Sequence, residues 1–142
     1  MIRARYLLSQ KDPVVWSIQP EDPVLEAIQL MADKHVGALP VVSGEKLVGI
    51  VSERDYARKV ILLGRSSADT PIWQIMSSPV TTISPEEEIH RCMEIMTEQR
   101  IRHLPVVERG KMIGIISIGD LVKAVIDEQQ QTIDQLERYI AG

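Results

Sequence analysis

LPVVSGEKLVGIVSERD at residues 39–55 and LPVVERGKMIGIISIGD at residues 104–120 are two copies of one pattern. Each runs from a Leu-Pro-Val-Val quartet through a short polar turn to a glycine, two aliphatics, a serine and, three places later, an aspartate. The offset of 65 residues holds without a gap when the comparison is carried back to Pro20 and Pro85, and about a third of the aligned positions are identical. Met31 and Met96 match, as do Gly49 and Gly114, Ser52 and Ser117, and Asp55 and Asp120. A repeat governs every later assignment, because a chain built from two similar units must bury two similar faces.

Upstream of each quartet the apolar spacing is helical. Val24, Ile28, Met31 and Ala32 fall at i, i+4, i+7 and i+8, as do Ile89, Met93, Met96 and Thr97, so an amphipathic helix opened by Pro and Glu is expected in each copy. The quartet and the following KLVGIVS or KMIGIIS are β-rich runs separated by Ser43-Gly44-Glu45 or Glu108-Arg109-Gly110, which suits a hairpin. Residues 15–18 and 80–83 read as leading strands, and a second helix is expected after each Asp. The order strand, helix, strand, strand, helix makes an α+β chain. LLGRSSADTP at residues 62–71 reads as a connector, which sets a first repeat at 6–65, a second at 66–126 and a helical extension at 127–142. In that extension Ile133, Leu136 and Ile140 share one helical face, expected to pack on a partner.

Among the 142 residues 44% are hydrophobic and none is Phe, so the core is expected to be aliphatic. The net charge of −4 supplies no global field for nucleic acid or an anionic membrane. MIRARYLLSQ lacks the apolar stretch of a secretory signal, and no run approaches the roughly 20 apolar residues of a membrane span. A single cysteine, Cys92, agrees with a reducing compartment, and the expected location is the cytoplasm. His35 and His90 have no neighbour at metal-ligand spacing. The methionines at helical spacing are expected to fill the core, Met76 to line a ligand cleft, and Cys92 to be a packed thiol.

The repeated Leu-Pro-Val-Val, turn, Gly-h-h-Ser-x-x-Asp pattern resembles the cystathionine beta-synthase (CBS) domain family from about Tyr6 to about Ile126. The resemblance implies two repeats packed as a pseudo-twofold pair, with an adenosyl ligand such as AMP, ADP, ATP, NAD or S-adenosylmethionine in the clefts between them and no metal required. It also implies roles: Asp55 and Asp120 hold ribose hydroxyls, and Ser52 and Ser117 hold phosphate.

The residue types suit those roles. A carboxylate can accept from two vicinal hydroxyls at once, and free amides at a strand-to-helix junction favour phosphate oxygens. The alternative is that each serine only caps its helix, with the aspartate as a first-turn acid. Gly37 and Ala38 in the first repeat, and Arg102 and His103 in the second, fall where the family's base-facing edge would lie. The basic pair matches positions that contact phosphate in family members. Arg54, Arg58 and Lys59 follow the first motif, as phosphate neutralisers or as a solvated face, with Arg54 inside the motif itself; Gly119 takes its place in the second. Two unequal sites are therefore expected.

No nucleophile elbow, P-loop, HExxH or cysteine cluster is present, so an enzyme is not expected. The expected function is a regulatory, energy- or redox-sensing module and homodimer acting on a protein the sequence does not name. A ligand-independent dimeric interaction protein is the competing reading.

Overall fold

The computed structural model describes residues 1–141. Its elements are α1 (Ala4–Ser9), α2 (Val24–Lys34), β1 (Ala38–Ser43), β2 (Lys46–Ser52), α3 (Glu53–Tyr56), α4 (Ile89–Gln99), β3 (His103–Glu108), β4 (Lys111–Ser117) and α5 (Ile118–Ala141). A π-helical stretch, Ala57–Ile61, continues α3, and a 3-10 turn occupies Ile72–Gln74. The chain forms two compact units. One is Val14–Thr81; the other combines Met1–Pro13 with the chain from Thr82 on. They are called here the first-repeat and second-repeat units.

Each quartet pairs with the following run as an antiparallel hairpin, β1 with β2 and β3 with β4, in the same register and with a bulge at the same place, Val41/Val42 and Val106/Val107. The prolines fit because β1 and β3 are edge strands: Pro40 and Pro105 lack an N–H, but their carbonyls accept from Ile18 and Ile83, each at 3.1 Å. The expected leading strands shrink to those two residues, which make single parallel bridges, Ile18 to Val41 and Ile83 to Val106. Both amphipathic helices end on a left-handed residue, His35 and Arg100, each at φ 55°. Such a stop closes the last turn, as glycine usually does.

Core positions repeat at the offset of 65. Ile18, Val24, Ala27, Met31, Leu39, Val41 and Val51 are buried in one unit, and Ile83, Ile89, Cys92, Met96, Leu104, Val106 and Ile116 in the other. Burying an aliphatic side chain of this size contributes about 1.5–3 kcal/mol, so the repeated pattern is itself the main stabilising device.

The segment ahead of each repeat packs on the other repeat's unit. Ile72 and Ile75 complete the first-repeat core, while Ala4 and Leu7 complete the second. The backbone bonds are duplicated. Val24 donates to Thr70, Ile72 to Asp22 and Trp73 to Pro20; in the other unit Ile89 donates to Ile2, Ala4 to Glu87 and Arg5 to Pro85. These pairs put Ala4 opposite Ile72, an offset of 68, so the leading segments correspond in space although their sequences are out of step with the repeats. A carbonyl of each segment thereby satisfies the first amide of a helix, which would otherwise lack a partner. Met76 and Leu8 occupy equivalent places over glycines: a Cβ added at Gly49 would lie 2.5 Å from Met76 Sδ, and one added at Gly114 2.5 Å from Leu8 Cδ2.

Candidate functional site

The Ser-x-x-Asp motifs stand at the two junctions where β2 runs into α3 and β4 into α5. In the first-repeat unit Ser52 caps α3: its Oγ accepts from the Asp55 amide at 3.2 Å, while the Ser52 amide and hydroxyl donate to Asp55 Oδ2 at 2.9 and 3.1 Å. In the second-repeat unit Ser117 Oγ accepts from the Asp120 amide at 3.2 Å and the Ser117 amide donates to Asp120 Oδ2 at 2.8 Å. These are reciprocal capping boxes, and each contributes about 0.5–2 kcal/mol. The four residues remain partly accessible, so capping and recognition can share them.

A lysine stands at each carboxylate. Lys59 Nζ lies 3.2 Å from Asp55 Oδ1 and also donates to the Ile75 carbonyl at 2.9 Å. Lys11 Nζ lies 2.8 Å from Asp120 Oδ2 and donates to the Ile115 carbonyl at 2.8 Å. Lys59, expected as a phosphate neutraliser or a solvated side chain, pairs with Asp55. Lys11 was missed altogether. It lies in the loop after α1, more than a hundred residues from its partner, and no motif marks it.

The second site differs in where its basic side chains come from, with Arg102 and His103 where β3 begins in place of Gly37 and Ala38. His103 pairs with Ser117 across the hairpin, and the carbonyl of the adjoining Arg102 accepts from the Ile118 amide at 2.8 Å. Burial is the main influence holding the His103 imidazole below its ordinary pKa; Lys11 and Arg102 act the same way, and Asp120 opposes them. Desolvation is likewise the largest influence on Asp120 and pushes its carboxyl upward. The Lys11 hydrogen bond, the Ser117 amide and the lysine's charge together outweigh it, leaving the carboxyl below its ordinary value. Gly119 lies exposed in the first turn of α5.

At the corresponding place in the first-repeat unit stand Gly37, whose carbonyl accepts from the Glu53 amide at 3.1 Å, and Ala38, paired with Ser52. Neither brings charge. Arg54 and Arg58 are exposed on α3 and the π-helical stretch. In each unit the backbone entering the hairpin, Gly37 and Ala38 or Arg102 and His103, thus adjoins one Ser-Asp box. A groove of about 850 Å³ in the second-repeat unit, lined by residues including Tyr6, Ala124 and Asp127, takes in none of the predicted site residues.

Among the described residues no group of His, Cys, Asp and Glu is arranged to hold a metal ion, and no helix is long and apolar enough to cross a membrane. His90 is exposed and meets Glu128 at 3.1 Å. Cys92 is buried, and its thiol is pushed up to about 11, by burial first and then by Glu87 and Glu88.

Comparison with known proteins agrees with this architecture. The mitochondrial CBS domain-containing protein CBSX3 of Arabidopsis thaliana is 45% identical over 86% of this chain and 62% of its own length, so the chain spans somewhat less than two thirds of that relative. A solved CBS-domain protein from Burkholderia ambifaria superposes with a TM-score of 0.87 at 47% identity, covering 90% of this chain and 96% of that one. A CBS domain protein from Pyrobaculum aerophilum, solved in complex with AMP, superposes with a TM-score of 0.74 at 31% identity, covering 84% and 89%. The CBS domain model matches residues 8–61 and again 72–127, so the chain belongs to the CBS domain family and carries two repeats.

Proposed function

We propose that this chain is a regulatory module that binds an adenine nucleotide, AMP, ADP, ATP or NAD, at the Ser-x-x-Asp ends of its repeats, with Asp55 and Asp120 taking the ribose and Ser52 and Ser117 the phosphate side. The observation that carries this reading is the second-repeat cluster, where one partly accessible carboxylate, Asp120, stands with Lys11, Arg102 and His103. A carboxylate for hydroxyls beside two cations and an imidazole for phosphate is the donor and acceptor set a nucleotide needs. The AMP complex of the Pyrobaculum relative supports the ligand class. The first site, with Gly37 and Ala38 in place of the basic pair and with Arg54 and Arg58 nearby, binds more weakly or prefers another nucleotide. A regulatory rather than catalytic role, a cytoplasmic location and a homodimer complete the reading.

The test is mass spectrometry of small molecules released from the purified chain, followed by calorimetric titration with AMP and ATP. Two unequal sites are expected; two identical sites contradict the assignment of the basic cluster. The second reading, a ligand-independent dimeric interaction protein, draws on α5. Ile126, Ile133, Leu136 and Ile140 are 58%, 47%, 56% and 83% exposed on it. Under that reading no adenine nucleotide raises the melting temperature, whereas a ligand binding only the native state must raise it by mass action.

A further inference from the structure

We propose that Lys11 makes the second-repeat site demand a phosphate on its adenosyl ligand, so that the site discriminates AMP from adenosine. This deepens the adenine-nucleotide reading and rests on it.

The two units correspond closely until Lys11 enters. In the first-repeat unit the Ile50 carbonyl accepts from the Ser77 amide at 2.9 Å, and Ser77 returns its own carbonyl to Ile50. The equivalent carbonyl in the second-repeat unit, Ile115, accepts instead from Lys11 Nζ, which spends a second proton on Asp120. The leading segments explain the difference: Leu8 corresponds to Met76, and three residues further on Lys11 corresponds to Pro79, which has no side-chain donor. The first unit's lysine comes from a different element. Lys59 corresponds by the repeat offset to Ala124, and it reaches the other oxygen of its carboxylate at a longer 3.2 Å.

Asp120 is therefore presented already neutralised. A ribose that donates to this carboxylate competes with a charge-assisted bond from the ammonium. A nucleoside offers nothing in return, and displacing Lys11 would leave a partly buried cation without its anion. A 5′-phosphate offers a replacement anion to the same ammonium, beside Arg102 and His103. Lys11 has the reach to make that exchange, since its side chain is a third exposed and its ammonium carries three protons. The first-repeat unit does not reproduce the cluster, because Gly37 and Ala38 stand where Arg102 and His103 do.

The experiment is calorimetric titration of the full chain with AMP and with adenosine, in the wild type and in Lys11→Met, Lys11→Gln and Lys11→Arg. Loss of the charge in Lys11→Met is expected to weaken AMP at the tighter site by about 10- to 100-fold, the range of one charge-assisted hydrogen bond, while adenosine binds as before or better. Lys11→Gln keeps a donor for the Ile115 carbonyl and should behave like Lys11→Met, so the result does not depend on one variant folding. Lys11→Arg keeps the charge and should keep the wild-type preference for AMP. An AMP-to-adenosine ratio unchanged in both neutral variants, or equal weakening of both ligands, overturns the proposal while leaving nucleotide binding in place. A wild-type chain that binds neither ligand removes the nucleotide reading itself.

Discussion

Lys11 Nζ stands 2.8 Å from Asp120 Oδ2, joining the loop after α1 to the first turn of α5 within one compact unit. The pair is partly buried, so removing the lysine leaves a carboxylate that burial alone would push toward its neutral form. Lys11→Met is expected to cost about 1–2 kcal/mol at pH 7, between the ranges for exposed and buried pairs. The sign with pH follows from the carboxyl's depressed pKa. Its contribution is fully present above the ordinary carboxylate range and is lost as pH falls through the lower folded value. Urea denaturation of wild type and Lys11→Met should therefore show a difference at pH 7 that closes at about pH 2–3, below the ordinary aspartate value.

His103 acts in the same direction with pH, at a higher range. Its folded pKa lies below the ordinary imidazole value, so the unfolded chain binds the proton more tightly and stability falls as pH drops from 7 through about 6.5. Denaturation midpoints of His103→Gln should lack that slope. An unchanged slope would place the titration elsewhere.

The contact between Leu8 and Gly114 can be isolated by a double-mutant cycle. Gly114→Ala places a methyl 2.5 Å from Leu8 Cδ2, so it should cost about 1 kcal/mol or more, as crowding does in a packed core. In a Leu8→Ala background that cost should largely disappear, giving a coupling of about 0.5–3 kcal/mol. Additive effects would contradict the packing.

The face of α5 bears on assembly. Ile133 and Leu136 are about half exposed, so Ile133→Glu with Leu136→Glu should convert a dimer to a monomer by light scattering and lower the melting temperature only by what association contributes. A wild type that is monomeric at micromolar concentration would contradict a homodimer.

Much of this was legible because the offset of 65 is uninterrupted from Pro20 to Asp55. Helical spacing around Met31 and Met96, and the turn residues between paired β-runs, marked both helices and both hairpins. Two features of the fold were not legible. The leading segments run at a different offset, and their buried residues, Ala4 against Ile72, differ in size, so no comparison of the copies showed that residues 1–13 pack with the second repeat. The leading strands are shorter than their residue types suggest: Val15 and Trp16 carry β-forming side chains, but only Ile18, and Ile83 in the second copy, finds a partner strand. At the candidate site, the spacing marks Ser52, Asp55, Ser117 and Asp120, and the structure shows each pair capping its helix. Lys11 was invisible because a lone lysine in a loop carries no pattern; only folding brings it to Asp120.

Calorimetric titration of the wild-type chain with AMP decides whether it binds adenine nucleotide at two unequal sites. A tighter site that weakens in Asp120→Asn, together with a weaker one that is unaffected by that change, is the predicted result. Two identical sites, or no heat and no rise in melting temperature with AMP, ADP, ATP or NAD, would contradict it.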